Sequence, residues 1–210
     1  MKVRKISIFN QLFILLAILL LMGNGILGVV AYRHSEETLF EQIQGNVVNI
    51  AATASAHVDG ELFQGIEIGD EGTDAYNEII DQLARFRDNA ELEYIYTLRQ
   101  LDDESVIFVV DSDVEEPAAI GDECERTDAL DLTFMHGAAY ADNEPFTDEW
   151  GTHVSAYSPI YNNDEIVGAV GVDISANWIS EQTVNLRNMV IIVCVLTYVG
   201  SLLILGIIML

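Results

Sequence analysis

The chain has 210 residues and carries 34 acidic residues against nine lysines and arginines, so its formal net charge is −25. All 34 acids lie between Arg33 and Asn188, a segment long enough to form one domain with its own core. This negative charge argues against nucleic acid and anionic lipid head groups as partners of that segment, because like charges repel.

The two ends of the chain are apolar. Residues 12–32 and 189–210 are uncharged stretches of 21 and 22 residues, and a helix needs roughly 20 apolar residues to cross a bilayer. We therefore predict two transmembrane helices in a multi-pass protein of the cell membrane. Basic residues among the first five positions precede the first stretch, which predicts that residues 1–11 are cytoplasmic and residues 33–188 extracytoplasmic. A cleaved signal peptide is the alternative for the first stretch, but the apolar region of a signal peptide has only about 7–15 residues.

Beyond the first apolar stretch, apolar residues recur at helical spacing, which predicts a long helix that continues into the extracytoplasmic segment. These residues are Leu39, Ile43, Val47, Ile50 and Ala54. Four glycines among acidic residues between positions 60 and 72 indicate a loop. Thr73 or Asp74 is then expected to cap a second helix.

The rest of the segment alternates strands with short helices. Residues rich in aromatic and β-branched side chains predict strands, and glycine or Asn-Asp sequences mark where elements end. The predicted elements are strands Tyr94–Leu98 and Val106–Val110, a short helix Thr127–His136, strands His153–Tyr161 and Glu165–Ile174, and a helix that begins at Ser175. This order predicts an α+β fold with an antiparallel sheet, flanked by two transmembrane helices.

The last two strands form a predicted hairpin with a three-residue loop, Asn162–Asp164. The expected cross-strand pairs are Tyr157 with Ala169, Ser155 with Gly171, and His153 with Asp173. In this register one face of the hairpin is apolar, with Val154, Ala156, Ile160, Ile166, Val170 and Val172. The polar members of the pairs share the other face above small residues, which predicts a hollow there.

We expect this hollow to be part of a ligand pocket. Asp173 would hold a cationic or amine group, with Tyr157 and Trp150 supplying stacking and hydrogen bonds beside His153 and Ser155. The alternative for Asp173 is that it only caps the helix that follows it.

A second candidate pair lies on the first predicted strand. Arg99, near Tyr96, could bind a ligand carboxylate or could form an ion pair with one of the many acids of this segment. Both interpretations remain open at this point.

Other chemistry has little support in the sequence. A metal site made of Asp148, Glu149 and His153 matches no strong ligand template, and the acidic segment after Val110 lacks the glycine of a calcium-binding loop. No arrangement typical of nucleophilic catalysis is present. We therefore predict no catalytic residue, no metal, no cofactor and no enzymatic activity for this chain.

Five segments together form a recognisable pattern: Tyr94–Arg99, Val109–Asp113 with Glu116-Pro117, Glu144–Gly151, Ser155–Ile160 and Val167–Ile174. Over about residues 35–188 they resemble the Cache family of extracytoplasmic sensor domains, which are PAS-like in fold. The resemblance implies an antiparallel sheet, a long N-terminal helix and a small-molecule pocket on one side of the sheet.

In family members that bind amino acids, the aspartate matching Asp173 holds the amine. The Arg-x-Trp-Tyr segment that grips the carboxylate in those members has no clear match here. An amine, an amino acid, a carboxylate and the absence of any ligand therefore all remain open.

The resemblance implies the sensing part of a membrane receptor, such as a chemoreceptor, a sensor histidine kinase or a diguanylate cyclase. Ligand occupancy would pass through the two transmembrane helices, across a parallel homodimer, to a cytoplasmic output domain beyond Leu210. The chain is thus expected to be a fragment of a longer receptor. The alternative is a membrane-anchored ectodomain whose polar hairpin face binds a partner protein.

Overall fold

The computed structural model describes residues 7–90, 92–101, 105–148 and 151–208. The chain divides into two units. The helical unit comprises Met1–Phe40 and Ser180–Leu210, and the sheet unit comprises Glu41–Ile179.

The helices agree with the predicted ones, with one addition. They are α1 (Ile8–Ser55), α2 (Gly60–Gln64), α3 (Asp74–Asn89), α4 (Asp128–His136) and α5 (Ala176–Ile208). The Thr73 side chain accepts a hydrogen bond from the backbone N–H of Tyr76 and caps α3 as predicted. Gly137 ends α4 in the left-handed conformation, with φ of 65°. Helix α2 lies in the segment predicted to be a loop, where Asp59 accepts hydrogen bonds from the first backbone N–H groups.

Windows of α1 and α5 are long and apolar enough to cross a membrane. Their mean hydropathy values are 2.6 and 2.7, and neither window is buried within the protein. These features agree with the two apolar stretches predicted to be transmembrane helices.

All strand pairings are antiparallel. The strands are β1 (Tyr94–Gln100), β2 (Val106–Asp111), β3 (Tyr140–Ala141), β4 (Phe146–Thr147), β5 (Thr152–Asn162) and β6 (Glu165–Ser175). The sheet has the order β2-β1-β6-β5-β3, and β4 also pairs with β5. The predicted α+β fold with an antiparallel sheet and a long N-terminal helix is therefore confirmed, and the two-residue strands β3 and β4 are additions.

The predicted register of the β5–β6 hairpin is wrong by two residues. The turn contains only Asn163 and Asp164, whose φ angles of 49° and 66° suit a two-residue type I′ turn. The shorter turn displaces the predicted pairing by one residue, and a register shift between Ile160 and Tyr161 displaces it by one more. The observed pairs are Tyr157 with Gly171, Ser155 with Asp173, and His153 with Ser175. Because these three pairs are displaced by two residues, their side chains stay on the predicted face. Ile166 is the exception, since it pairs with Tyr161 instead of Ile160 and therefore leaves the predicted apolar face.

Strands β5 and β6 are buried on both faces of the sheet. On one face, the ring of Phe63 from α2 lies so close to Gly168 that an added Cβ would be 2.4 Å from its Cε1. On the same face, the hydroxyls of Ser55 and Ser158 are 2.8 Å apart and connect α1 to β5. The opposite face packs against α4 through a cluster of buried residues that includes Leu98, Leu130 and Ala169.

Candidate ligand-binding cavity

The face of the sheet that packs against α4 also borders a cavity of about 770 Å³, which we call the Asp173 cavity. Its walls come from strands β1, β2, β4, β5 and β6 and from the segment 111–126. Five aromatic side chains line it: Tyr94, Tyr96, Phe108, Phe146 and Tyr157. Seven carboxylates line it as well: Asp111, Asp113, Glu116, Glu123, Glu125, Asp148 and Asp173.

Asp173 is the most informative of these carboxylates because it is only 5% exposed. The register places it between Tyr94 of β1 and Ser155 of β5. The Tyr96 hydroxyl donates a hydrogen bond of 3.2 Å to its Oδ1, and the Ser155 hydroxyl also hydrogen-bonds to this carboxylate. No lysine or arginine in the described ranges forms an ion pair with it.

Burial raises the pKa of Asp173 to about 7, and the hydrogen bond from Ser155 only partly opposes this effect. The group is therefore close to half ionised at neutral pH. A buried carboxyl group without a cation is stabilised in its charged form by any cation that enters the cavity.

The structure does not assign Asp173 the role of helix cap. Its residue lies inside β6, and the first turn of α5 is served by Ser175, whose hydroxyl accepts a hydrogen bond of 3.3 Å from the backbone N–H of Asn177. The carboxylate of Asp173 is directed to the cavity instead.

The hollow predicted above the small residues is filled by an aromatic ring. A Cβ at Gly171 would lie 2.3 Å from Cε2 of Tyr96, so the ring sits directly on the glycine. Tyr96 also packs edge-on against Phe108, with ring centroids 5.1 Å apart. Burial raises the pKa values of Tyr96 and Tyr157 well above their usual range, so both hydroxyls stay protonated and can donate hydrogen bonds.

Arg126 is the one basic residue among the side chains that line the cavity within the described ranges. Its Nε and Nη2 atoms are 2.8 Å and 2.6 Å from Oδ1 of Asp131, outside the cavity lining. Its Nη1 is buried and has no hydrogen-bond partner in the described part of the chain. The positive charge of Arg126 is therefore already matched by a carboxylate.

His153 lies behind the cavity wall, with 2% exposure. Its Nδ1 is 3.1 Å from Oε2 of Glu93, its Nε2 is 3.7 Å from Oδ1 of Asp148, and its ring packs edge-on against Tyr94 at 5.4 Å. Because Asp148 and Tyr94 line the cavity, His153 supports two wall residues without lining it.

Arg99 is not brought to the cavity. Its guanidinium donates hydrogen bonds of 2.9 Å and 2.7 Å to the carbonyl oxygens of Ile66 and Phe63 and lies 5.0 Å from the centroid of the Phe63 ring. Neighbouring positions on a strand alternate between faces, so Arg99 and Tyr96 point to opposite sides of β1. The sequence interpretations of Arg99 were a ligand carboxylate or an acidic side chain as its partner. The observed partners are instead backbone carbonyl oxygens at the end of α2.

Four of the site residues predicted from the sequence line the cavity: Asp173, Tyr157, Ser155 and Tyr96. Trp150 lies outside the described residues. Tyr94 and Phe108 were missed, although alternation along β1 and β2 was the signal that could have found them.

The acidic segment after β2 was also missed as a cavity wall. Asp111 orders this segment, since its two oxygens accept backbone hydrogen bonds from Asp113 and Ala118 at 3.0 Å and 2.9 Å. Within the described ranges, no group of three or more His, Cys, Asp or Glu residues is placed to hold a metal ion.

No protein-family model matches the sequence, and no curated protein matches it either. Among solved structures, the sensor domain of DcuS from E. coli is 15% identical with a TM-score of 0.49, over 70% of this chain and 98% of that one. The ligand-binding domain of the Campylobacter jejuni chemoreceptor Tlp3 in complex with 4-methylisoleucine is 16% identical with a TM-score of 0.40, over 87% of this chain and 64% of that one. The ligand-binding domain of Mlp24 with asparagine is 17% identical with a TM-score of 0.46, over 76% and 62%.

This chain spans less than two thirds of the length of those Tlp3 and Mlp24 domains. The first of these structures is a sensor domain, and the other two are ligand-binding domains.

Proposed function

We propose that residues 33–188 form an extracytoplasmic sensor domain that binds a small molecule in the Asp173 cavity. The observation that carries this proposal is a cavity of about 770 Å³ with a buried carboxylate in its wall that forms no ion pair with a lysine or arginine in the described ranges. Small-molecule sites are typically concave, roughly 300–1,000 Å³ in volume, mostly apolar and equipped with a few polar groups that orient the ligand. The proposed ligand contacts are Asp173, Tyr96, Ser155 and Tyr157, and a contact with Trp150 stays a prediction from the sequence.

The proposal places residues 12–32 and 189–210 in the membrane and residues 1–11 in the cytoplasm. The segregation of all acids between Arg33 and Asn188 and the apolar windows of α1 and α5 support this topology.

Polar contacts within the helical unit also support two helices that cross together. The Asn24 amide donates a hydrogen bond of 2.6 Å to the Cys194 carbonyl, and Thr197 donates one of 3.1 Å to the Asn24 side chain. In lipid, a polar side chain needs such a partner because no water is available.

Signal transmission would use the direct connection between the cavity and the last helix. Strand β6 ends at Ser175 and α5 begins at Ala176, so Asp173 is three residues from the helix that enters the membrane. A ligand that binds one arrangement of β6 more tightly than another shifts the population of the connected helix. The parallel homodimer and the cytoplasmic output domain stay predictions from the sequence.

The proposal can be tested by thermal unfolding of the full chain in lipid nanodiscs, against a panel of amines, amino acids and organic acids. We expect at least one compound class to raise the Tm in a concentration-dependent manner, since a ligand that binds only the folded state stabilises it. The substitution Asp173→Asn should abolish that shift, whereas the matched change Asp164→Asn in the hairpin turn should leave it intact.

The opposite outcome would support the ectodomain that binds a partner protein. In that case no compound changes the Tm, and both variants retain the same protein partner in pull-down experiments.

A further inference from the structure

We propose that the ligand of the Asp173 cavity is an organic cation with at least two amine groups and no carboxylate, such as a diamine. This inference rests on the proposed function, because it assigns a ligand class to the same cavity. It follows from how the charges of the cavity wall are distributed and which of them are already paired.

The buried end of the cavity provides one position for an ammonium group. Asp173 is 5% exposed, and its hydrogen bonds come from neutral hydroxyl groups. The rings of Tyr94, Tyr96 and Tyr157 line the cavity beside it. A buried carboxylate in a lining that also contains aromatic rings suits an alkylammonium group, which gains the charge pair together with apolar contact for its chain.

Solvent-exposed carboxylates of the cavity lining provide the second position. Glu116, Glu123 and Glu125 line the cavity, and all three are exposed to solvent. Within the described ranges, none of them forms an ion pair with a basic residue. A chain with amines at both ends would reach Asp173 with one end and these glutamates with the other.

The same wall disfavours a carboxylate on the ligand. Arg126 is the one basic residue lining the cavity within the described ranges, and Asp131 already occupies its Nε and Nη2 atoms. Its Nη1 has almost no solvent-accessible surface, so it offers no donor to the cavity. A carboxylate here would face seven wall carboxylates without an available cation, and like charges at an interface oppose binding.

A bare metal ion fits this cavity less well than an organic cation. Among residues 7–90, 92–101, 105–148 and 151–208, no three acidic, histidine or cysteine side chains converge as metal ligands. The aromatic lining also offers no oxygen ligands apart from the tyrosine hydroxyls, whereas it gives an alkyl chain apolar contact.

Four compounds with the same four-carbon chain test the ligand class by calorimetry on the full chain in lipid nanodiscs. They are 1,4-diaminobutane, 1-aminobutane, 4-aminobutanoate and butanedioate. We expect 1,4-diaminobutane to bind at least tenfold more tightly than 1-aminobutane, and the two compounds with carboxylates to show no measurable binding. The affinity of the diamine should also fall as salt rises, because exposed carboxylates hold its second amine.

Two sets of variants locate the two ends of the ligand. Asp173→Asn should remove binding of both amines, whereas Glu123→Gln with Glu125→Gln should weaken the diamine about tenfold and leave 1-aminobutane unchanged. Glu71→Gln with Glu165→Gln removes the same number of exposed carboxylates away from the cavity and serves as the matched control.

The ligand class and the proposed function fail in distinguishable ways. If 4-aminobutanoate or butanedioate binds as tightly as the diamine and Asp173→Asn prevents this, the dication is wrong while the sensing cavity stands. If a divalent metal salt binds in place of every amine, the organic class is wrong. If none of these compounds and no member of the broader panel binds, both proposals are overturned.

Discussion

Replacing Asp173 by asparagine should stabilise the ligand-free protein while abolishing ligand binding. The carboxyl group is buried, and burial raises its pKa from 3.8 to about 7. In the unfolded chain the same group titrates near its ordinary value. Between these two pH values the folded state binds more protons than the unfolded state, so this group makes the protein less stable as pH rises from about 4 to 7.

The magnitude follows from the size of the shift. A rise of the pKa from 3.8 to about 7 corresponds to about 4 kcal/mol, which is an upper bound on the destabilisation at pH 8. Asparagine has the shape of the protonated carboxyl group, and the hydroxyls of Tyr96 and Ser155 can rotate to accept from its amide. Asp173→Asn should therefore raise the free energy of unfolding by up to about 4 kcal/mol at pH 8 and by almost nothing at pH 3.5.

The assay is chemical denaturation of the full chain and the variant in nanodiscs, followed at pH 3.5, 5, 6.5 and 8. The difference between the two proteins should grow with pH and level off above about 7. The exposed Asp164→Asn change serves as a control that should show no such growth. A difference that is constant with pH, or a variant less stable than the parent at pH 8, would refute the argument that a buried charge is retained here for binding.

Three further predictions concern the same sheet. Gly171→Ala should lower the free energy of unfolding by about 1–3 kcal/mol in denaturation experiments, because the new Cβ would lie 2.3 Å from the Tyr96 ring. The control Gly45→Ala, whose Cβ would meet no atom within 4 Å, should be neutral or slightly stabilising. Affinity for a cationic ligand should fall about tenfold between pH 8 and pH 6, because only the ionised form of Asp173, with its pKa of about 7, binds a cation; a pH-independent Kd from calorimetry would contradict this role. Arg99→Lys should cost about 1–2 kcal/mol of stability through lost hydrogen bonds to the carbonyls at the end of α2, with the ligand Kd unchanged; a large change in Kd would place Arg99 in the site.

The positions of most helices and strands were predictable because they depend on local periodicity and turn chemistry. The cap at Thr73, the end of α4 at Gly137 and the two faces of the last hairpin all follow from short stretches of sequence. Helix α2 was missed because it is only five residues long and lies among glycines that indicate a loop.

The register of the last hairpin shows where local reasoning reaches its limit. Asn163 and Asp164 both accept positive φ, so a two-residue turn was as compatible with the sequence as the three-residue loop. The additional shift at Ile160 has no sequence signal, because a bulge depends on what packs against the strand.

Some residues of the candidate site could be predicted from local sequence patterns, whereas others could be placed only by the tertiary structure. Ser155 and Tyr157 could be placed on one face because the period of a strand is two, and Asp173 joins them because its pairing was wrong by an even number of residues. The same alternation along β1 predicts that Arg99 lies on the face opposite Tyr96. Its hydrogen bonds to carbonyl oxygens at the end of α2 could be found only from the structure.

The amino-acid sequence alone determined two apolar stretches long enough for membrane helices, an acidic α+β segment between them, and a polar face on the last hairpin. These depend on composition and period, which are local properties of the chain. Only the tertiary structure decided that Tyr96 covers Gly171 and that the acidic segment 111–126 lines the same cavity as Asp173. Those contacts join residues distant in sequence, and their geometry is set by packing and burial, which no local pattern encodes.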